Sequence, residues 1–198
     1  MAISKKMLML LLACAPLLFG LGCSNSGKVE QGRVIAFDHQ KGLVTIIRDS
    51  TGTADKPSYD VLPPITVKIP QDADEMGPAP AAGKRLLFDT QNRKLVVYDA
   101  AAGAIKTIAY IPVLELANVA ADDHRVKGVK FPVINRESKT ITLYSSRDKK
   151  LVTFTVADEH LALPEDTWQA GDDVRYYFKQ PDQALRMMNV SKTNVMKG

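Results

Sequence analysis

Cysteine is nearly absent from this chain of 198 residues: Cys14 and Cys23 are its two, both within the first 23 positions. A disulfide framework, a cysteine-rich zinc site and a thiolate enzyme are thereby excluded from everything downstream. Catalytic signatures are scarce as well. There is no Gly-x-Ser-x-Gly, no His-Glu-x-x-His and no phosphate-cradling glycine loop, since Gly27, Gly32, Gly42 and Gly52 are scattered among strands and turns. Aromatic residues make up 7% of the chain, with a single tryptophan. What remains is ordinary: 45% hydrophobic and 24% charged residues, the proportions of a soluble domain rather than of a disordered or collagenous chain. These absences lead to the expectation of a non-enzymatic protein without a cofactor.

The first segment reads as an address. Lys5 and Lys6 precede an apolar run from Met7 to Phe19. That run is shorter than the roughly 20 apolar residues a membrane-spanning helix needs. A charged start, a short apolar stretch and small residues describe a secretory signal peptide. Its end, Phe19-Gly20-Leu21-Gly22-Cys23, resembles the bacterial lipobox, with Gly22 in the small position before cysteine and Gly20 where leucine is usual. The resemblance implies cleavage before Cys23 and attachment of diacylglyceryl and a further acyl chain, such as palmitate, to it. Ser24 in place of aspartate implies the outer membrane, facing the periplasm, rather than the inner membrane. On this reading residues 1–22 are the signal peptide and 23–28 a lipidated tether. Removing Lys5 and Lys6 lowers the net charge from +4 to +2. So little excess charge speaks against a nucleic-acid partner.

The remainder repeats itself. Gly32-Arg33-Val34 opens one extended run and Gly128-Val129-Lys130 another; each meets a polar turn and then a β-branched run, Leu43 to Ile47 or Thr140 to Leu143. A third run follows (Ile65 to Ile69; Leu151 to Val156), then about a dozen irregular residues. Next comes Ala82-Gly83 before Lys84 to Phe88, and Ala170-Gly171 before Asp172 to Phe178. A hairpin turn and a last run close each copy, Leu95 to Tyr98 and Leu185 to Val190; in the first copy Tyr98 to Ala104 reads as a further hairpin into an extra strand, Ile105 to Ile111. Period-two alternation, with Val174, Tyr176 and Phe178 on one side and Arg175, Tyr177 and Lys179 on the other, marks strands. The expected fold is all-β: two tandem small OB-like five-stranded antiparallel barrels behind the signal peptide. Their expected bounds are 29–111 and 126–198, with a connector at 112–125 and Leu161, Leu163 and Trp168 capping one barrel end.

The second copy is similar to the small periplasmic OB-like domain of bacterial copper and silver chaperones. The shared pattern stands here as Gly128-Val129-Lys130, Thr140-Ile141-Thr142-Leu143, Phe154-Thr155-Val156 and Gly171-Asp172-Asp173-Val174-Arg175-Tyr176-Tyr177-Phe178. The resemblance implies the barrel but not the metal chemistry. Lys150 and Val152 occupy the positions of the family's two methionines, Arg147 that of its tryptophan, and no histidine follows Leu143. The arrangement also resembles uncharacterised bacterial lipoprotein families.

Charge is uneven. Residues 125–198 hold 13 basic and 9 acidic side chains, and between Arg125 and Lys150 eight basic residues face only Glu137 and Asp148. Basic residues beside aromatics on a barrel suit an anionic envelope component or an acidic protein. The expected partner-binding residues are Lys130, Lys139, Tyr144, Lys149, Lys150, Arg175 and Tyr177. The alternative is metal-ion binding or handling, through His124, His160 and Met187.

Overall fold

The computed structural model describes residues 26–53 and 57–193. The expected signal peptide, Cys23 and the first tether residues lie outside them. The described chain is all-β, with several sheets. Twelve strands follow in order: β1 (Lys28–Asp38), β2 (Leu43–Asp49), β3 (Tyr59–Lys68), β4 (Arg85–Asp89), β5 (Lys94–Asp99) and β6 (Ala104–Ala109), then β7 (Ile111–Leu116), β8 (Val133–Asn135), β9 (Thr140–Ser145), β10 (Lys150–Thr155), β11 (Asp173–Gln180) and β12 (Gln183–Asn189).

One turn chemistry recurs. Asp38, Asp89, Asp99 and Asn135 end a strand, and the side-chain oxygen of each accepts from a backbone N–H two or three residues on. The residue four places later has positive φ: Gly42 (63°), Arg93 (52°), Gly103 (61°) and Lys139 (53°). Ser145 and Lys149 (50°) repeat the arrangement between β9 and β10. A short polar side chain fixes each turn, and a left-handed residue returns the chain to the next strand.

The assembly departs from the tandem expectation. The closed barrel has the order β1-β11-β12-β3-β2, taking three strands from the first copy and two from the second. β1 pairs antiparallel with β11, Arg33 opposite Asp173, and β12 meets β3 in a parallel contact at Gln183 and Lys68. The expected boundary between residues 29–111 and 126–198 therefore runs through the barrel. The other strands form two sheets rather than a closed barrel: β7-β10-β9-β8 and β4-β5-β6. These two sheets share a core. Leu95, Val97, Ile108 and Tyr110 of the first copy and its extra strand pack with Ile141, Leu143, Val152, Phe154 and Trp168 of the second. The two copies have exchanged their last strands. Leu161, from the short helix α1 (Asp158–Leu161), and Leu163 lie against this second core beside the buried Trp168.

The exchange is made where the two Ala-Gly dipeptides meet. Gly83 N donates to Val34 O (3.1 Å) and Arg85 N to Gln169 O (2.9 Å), while Asp172 N donates to Ala81 O (2.8 Å) and Val34 N to Asp172 O (3.0 Å). Three segments thus cross with their backbones in contact. A Cβ on Gly171 would stand 1.8 Å from Val34 O, and one on Gly83 2.3 Å from Gln169 O. Only glycine allows so close an approach.

Two expected elements differ in detail. Gly128 to Lys130 forms no strand, because Gly128 (φ 76°) lies in a turn. The expected connector begins with β7, an edge strand paired with β10. Proline is tolerated on an edge strand, and Pro112 stands here.

Candidate anion cleft

The barrel packs its outer face on the three-stranded sheet. Ile35, Ile47 and Tyr59 from the barrel bury against Leu86 and Tyr98, with Val96 and Ile105 at the margin. Arg33 stands opposite Ile47 in the ladder, on the same outward side, and therefore reaches the rim of this contact. Its guanidinium grips Asp173 at two points, Nε to Oδ1 at 2.7 Å and Nη2 to Oδ2 at 3.0 Å. Nη2 also donates to the Tyr59 hydroxyl (2.8 Å), which donates to Asp173 Oδ1 (2.7 Å). Burial opposes the charge on Arg33, but Asp173 and then Tyr59 outweigh it and hold its pKa above the ordinary value. Burial is also the main reason the Tyr59 hydroxyl is held far above its usual range.

Two adjoining cavities of about 430 and 420 Å³ open beside this triad, and both are lined by Arg33, Leu86, Leu87 and Arg147. The first adds Arg85, Phe88, Tyr144, Ser145 and Ser146. Arg85 is unlike its neighbour Arg33. Its Nε is buried and meets no hydrogen-bond partner among the described residues. Its guanidinium lies 5.5 Å from the Phe88 ring centroid, a cation–π distance. Burial, and then repulsion from Arg33, lower its pKa to about 10. The second cavity's Asp60 accepts from the Ser58 hydroxyl, and the two carboxylates lining the first are engaged in turns. Asp89 accepts from the N–H groups of Gln91 and Asn92, and Asp148 from the Ser145 hydroxyl. The cleft thus pairs one neutralised arginine with a second, half-buried one that has no ion pair among the described residues, beside the Ser146 hydroxyl, which is able to donate to an anion.

The expected partner-binding residues do not converge. Lys130 is exposed in the loop before β8, and Lys139 is paired with Asp158 (2.9 Å) at the start of β9. Lys149 and Lys150 lie beyond the other end of β9, separated from Lys139 by a strand of roughly 20 Å. The Tyr144 hydroxyl donates to Val119 O (2.9 Å), so it holds the connector in place, while the residue also borders the cleft. Arg175 donates to Gln31 Oε1 (2.9 Å) on the barrel, and Tyr177 lies on the same strand over Gly27. The metal alternative is dispersed in the same way. Met187 fills the barrel core. His124 lies exposed 3.4 Å from Asp123, and His160 lies 3.7 Å from Glu159. Among the described residues no group of three or more His, Cys, Asp or Glu gathers to hold a metal.

Arg33, Tyr59, Arg85 and Asp173 were not singled out by sequence reasoning. The one available signal was Arg147, a cation standing where the chaperone-like pattern has tryptophan. No curated protein and no solved structure matches the chain. A family model does match, over residues 25–198, and the chain accordingly belongs to the family described as a domain of unknown function, DUF4881.

Proposed function

We propose that this chain is a lipid-anchored, non-enzymatic binding module of the bacterial envelope, facing the periplasm from the outer membrane, and that its cleft takes an anionic group. Arg85 carries this reading. A cation whose Nε is buried without a hydrogen bond, and which has no ion pair among the described residues, costs folding free energy, and a bound phosphate or carboxylate removes that cost. Arginine is the side chain best matched to such groups, through paired N–H donors. The closed barrel we read as OB-like, five-stranded with one parallel contact between its third and last strands. OB barrels take ligands on the face of strands two and three. Here that face, with Ile47 and Tyr59, is covered by the three-stranded sheet, and the cleft opens at its edge. The anchor rests on the lipobox-like segment ending at Cys23.

Titration calorimetry of the full chain with pyrophosphate tests the cleft. Arg85→Met keeps the apolar stem and removes the charge. Losing one charge-assisted hydrogen bond of ~1.5–3 kcal/mol weakens binding by about tenfold or more. The same variant is expected to melt at a higher temperature than the wild type. Equal pyrophosphate affinity in both proteins, or a less stable variant, refutes the assignment. The anchor is tested separately: palmitate labelling of cells is expected in the wild type and lost in Cys23→Ala.

A further inference from the structure

We propose that the outer face of β1, β11 and β12 is a docking surface for a bilayer with anionic headgroups, against which the acylated Cys23 holds it. This rests on the lipid-anchor reading above and adds an orientation to it. The registers define the face. Val29 stands opposite Tyr177, and Tyr177 opposite Arg186; one row on, Gln31 stands opposite Arg175, and Arg175 opposite Met188. Partners across an antiparallel ladder share a face. The alternate residues Val174, Tyr176, Phe178 and Met187 fill the barrel core, so these two rows point outward. A register shift in β12 also leaves Leu185 on the surface.

Two observations make this face suited to lipid. Val29 is 61% exposed, Leu185 42% and Met188 39%, an apolar set on strands otherwise closed into a barrel. Beside it stand the exposed cations Arg175 and Lys179. A shallow depression of about 560 Å³ lies between Val29, Tyr177, Leu185 and Arg186, and its one carboxylate, Glu75, is ion-paired with Arg186. Apolar side chains at the acyl boundary with lysine and arginine at phosphate level is the arrangement of interfacial binding. The second observation is length. Only residues 24–27 separate Cys23 from the first residue of β1, so even fully extended chain keeps Lys28 within about 17 Å of the lipidated cysteine. The nearest surface on β1 is the Val29 row. So short a tether holds that row at high effective concentration against the headgroups.

The full lipidated chain, in vesicles of phosphatidylcholine and phosphatidylglycerol doped with a headgroup-nitroxide lipid, tests this. Leu185→Cys and Glu137→Cys each receive a fluorophore; Glu137 lies at the turn between β8 and β9, on the other sheet. Intact mass reports acylation of Cys23. Several-fold stronger quenching at position 185 than at 137, reduced when phosphatidylglycerol is omitted, is the expected result. Equal quenching in a protein whose mass shows the acyl chains overturns the docking face and leaves the anchor standing. Shielding at 185 that tracks protein concentration instead of lipid assigns the face to self-association and also overturns it. An unacylated Cys23 overturns the anchor and, with it, the docking.

Discussion

Replacing Gly171 by alanine adds one methyl group at the point where the two halves of the chain exchange. That Cβ would lie 1.8 Å from Val34 O and 2.9 Å from Val34 C, with Gly83 N at 3.1 Å. Backbone atoms cannot swing aside as a side chain would, so one of the crossing segments must move by more than about 1 Å. The bonds at risk are Gly83 N to Val34 O, Val34 N to Asp172 O and Asp172 N to Ala81 O. Two or three lost bonds at ~1 kcal/mol each, together with overpacking of ~1–3 kcal/mol, give a destabilisation of about 3–6 kcal/mol. That is a large share of the ~5–15 kcal/mol that holds a typical domain together. Gly103→Ala is the control. Its φ of 61° disfavours alanine, but nothing lies within 4 Å of the added carbon, so the expected cost is ~1–2 kcal/mol. Urea unfolding followed by Trp168 fluorescence, with Trp168 buried in the second core, measures both variants. If Gly171→Ala costs no more than Gly103→Ala, the crossing is not as drawn.

Ile46→Ala opens a cavity in the barrel, where Ile46 is fully buried, and should cost ~2–5 kcal/mol. Because the exchange joins the lobes, the Trp168 transition is expected to shift together with far-ultraviolet circular dichroism; separate transitions would show independent lobes. Lys149→Gly relieves a positive φ of 50° at an exposed turn, and a gain of ~0.5–1 kcal/mol in urea is expected; a loss would show that the lysine side chain supports the turn. Asp172 is opposed by burial, but Ala81 N–H, Asn189 and Lys192 outweigh it and hold its pKa below the ordinary value. The folded state therefore binds this proton less readily than the unfolded chain, whose value is about 3.9. Its contribution is present above about pH 4 and lost as pH falls toward the lower folded value. Asp172→Asn should flatten the acid branch of the urea midpoint between pH 5 and about 2.5, and an unchanged slope would contradict this.

Eleven of the twelve strands correspond to runs read from alternation and turn residues, because a half-buried strand and its Asp- or Asn-led turn are local chemistry. β7 was missed: Pro112 and the exposed pattern of Ile111, Val113 and Leu114 suit an irregular connector as well as an edge strand. Which strands pair was beyond local pattern. The two copies resemble each other, so β11 and β4 offer similar edges, and nothing in either run says which copy β1 will choose. The repeated Ala-Gly did carry the answer in concealed form, since the need for glycine at Gly83 and at Gly171 is explained by their mutual contact. The cleft was less legible. Arg85 sits in an ordinary alternating strand, and only packing against β1 and the hairpin after β9 buries its Nε without a partner. The lysines that stood out by density lie at opposite ends of one strand, a separation that a linear charge count does not show.

The partner of β1 is made last. Arg33 meets Asp173, 140 positions further along the chain. A chain threaded across a membrane from its amino end presents β1, β2 and β3 long before β11 and β12 arrive to close the barrel. During that interval Val34, Ile46 and Val67 have no complete core, and the open edges of β1 and β3 can pair with any extended neighbour. Loss of the carboxyl-terminal strands would then strand the amino-terminal ones as well. If the chain is exported as proposed above, the waiting time at the exit of the export channel, rather than the final stability, sets the hazard of aggregation and the need for a holding chaperone.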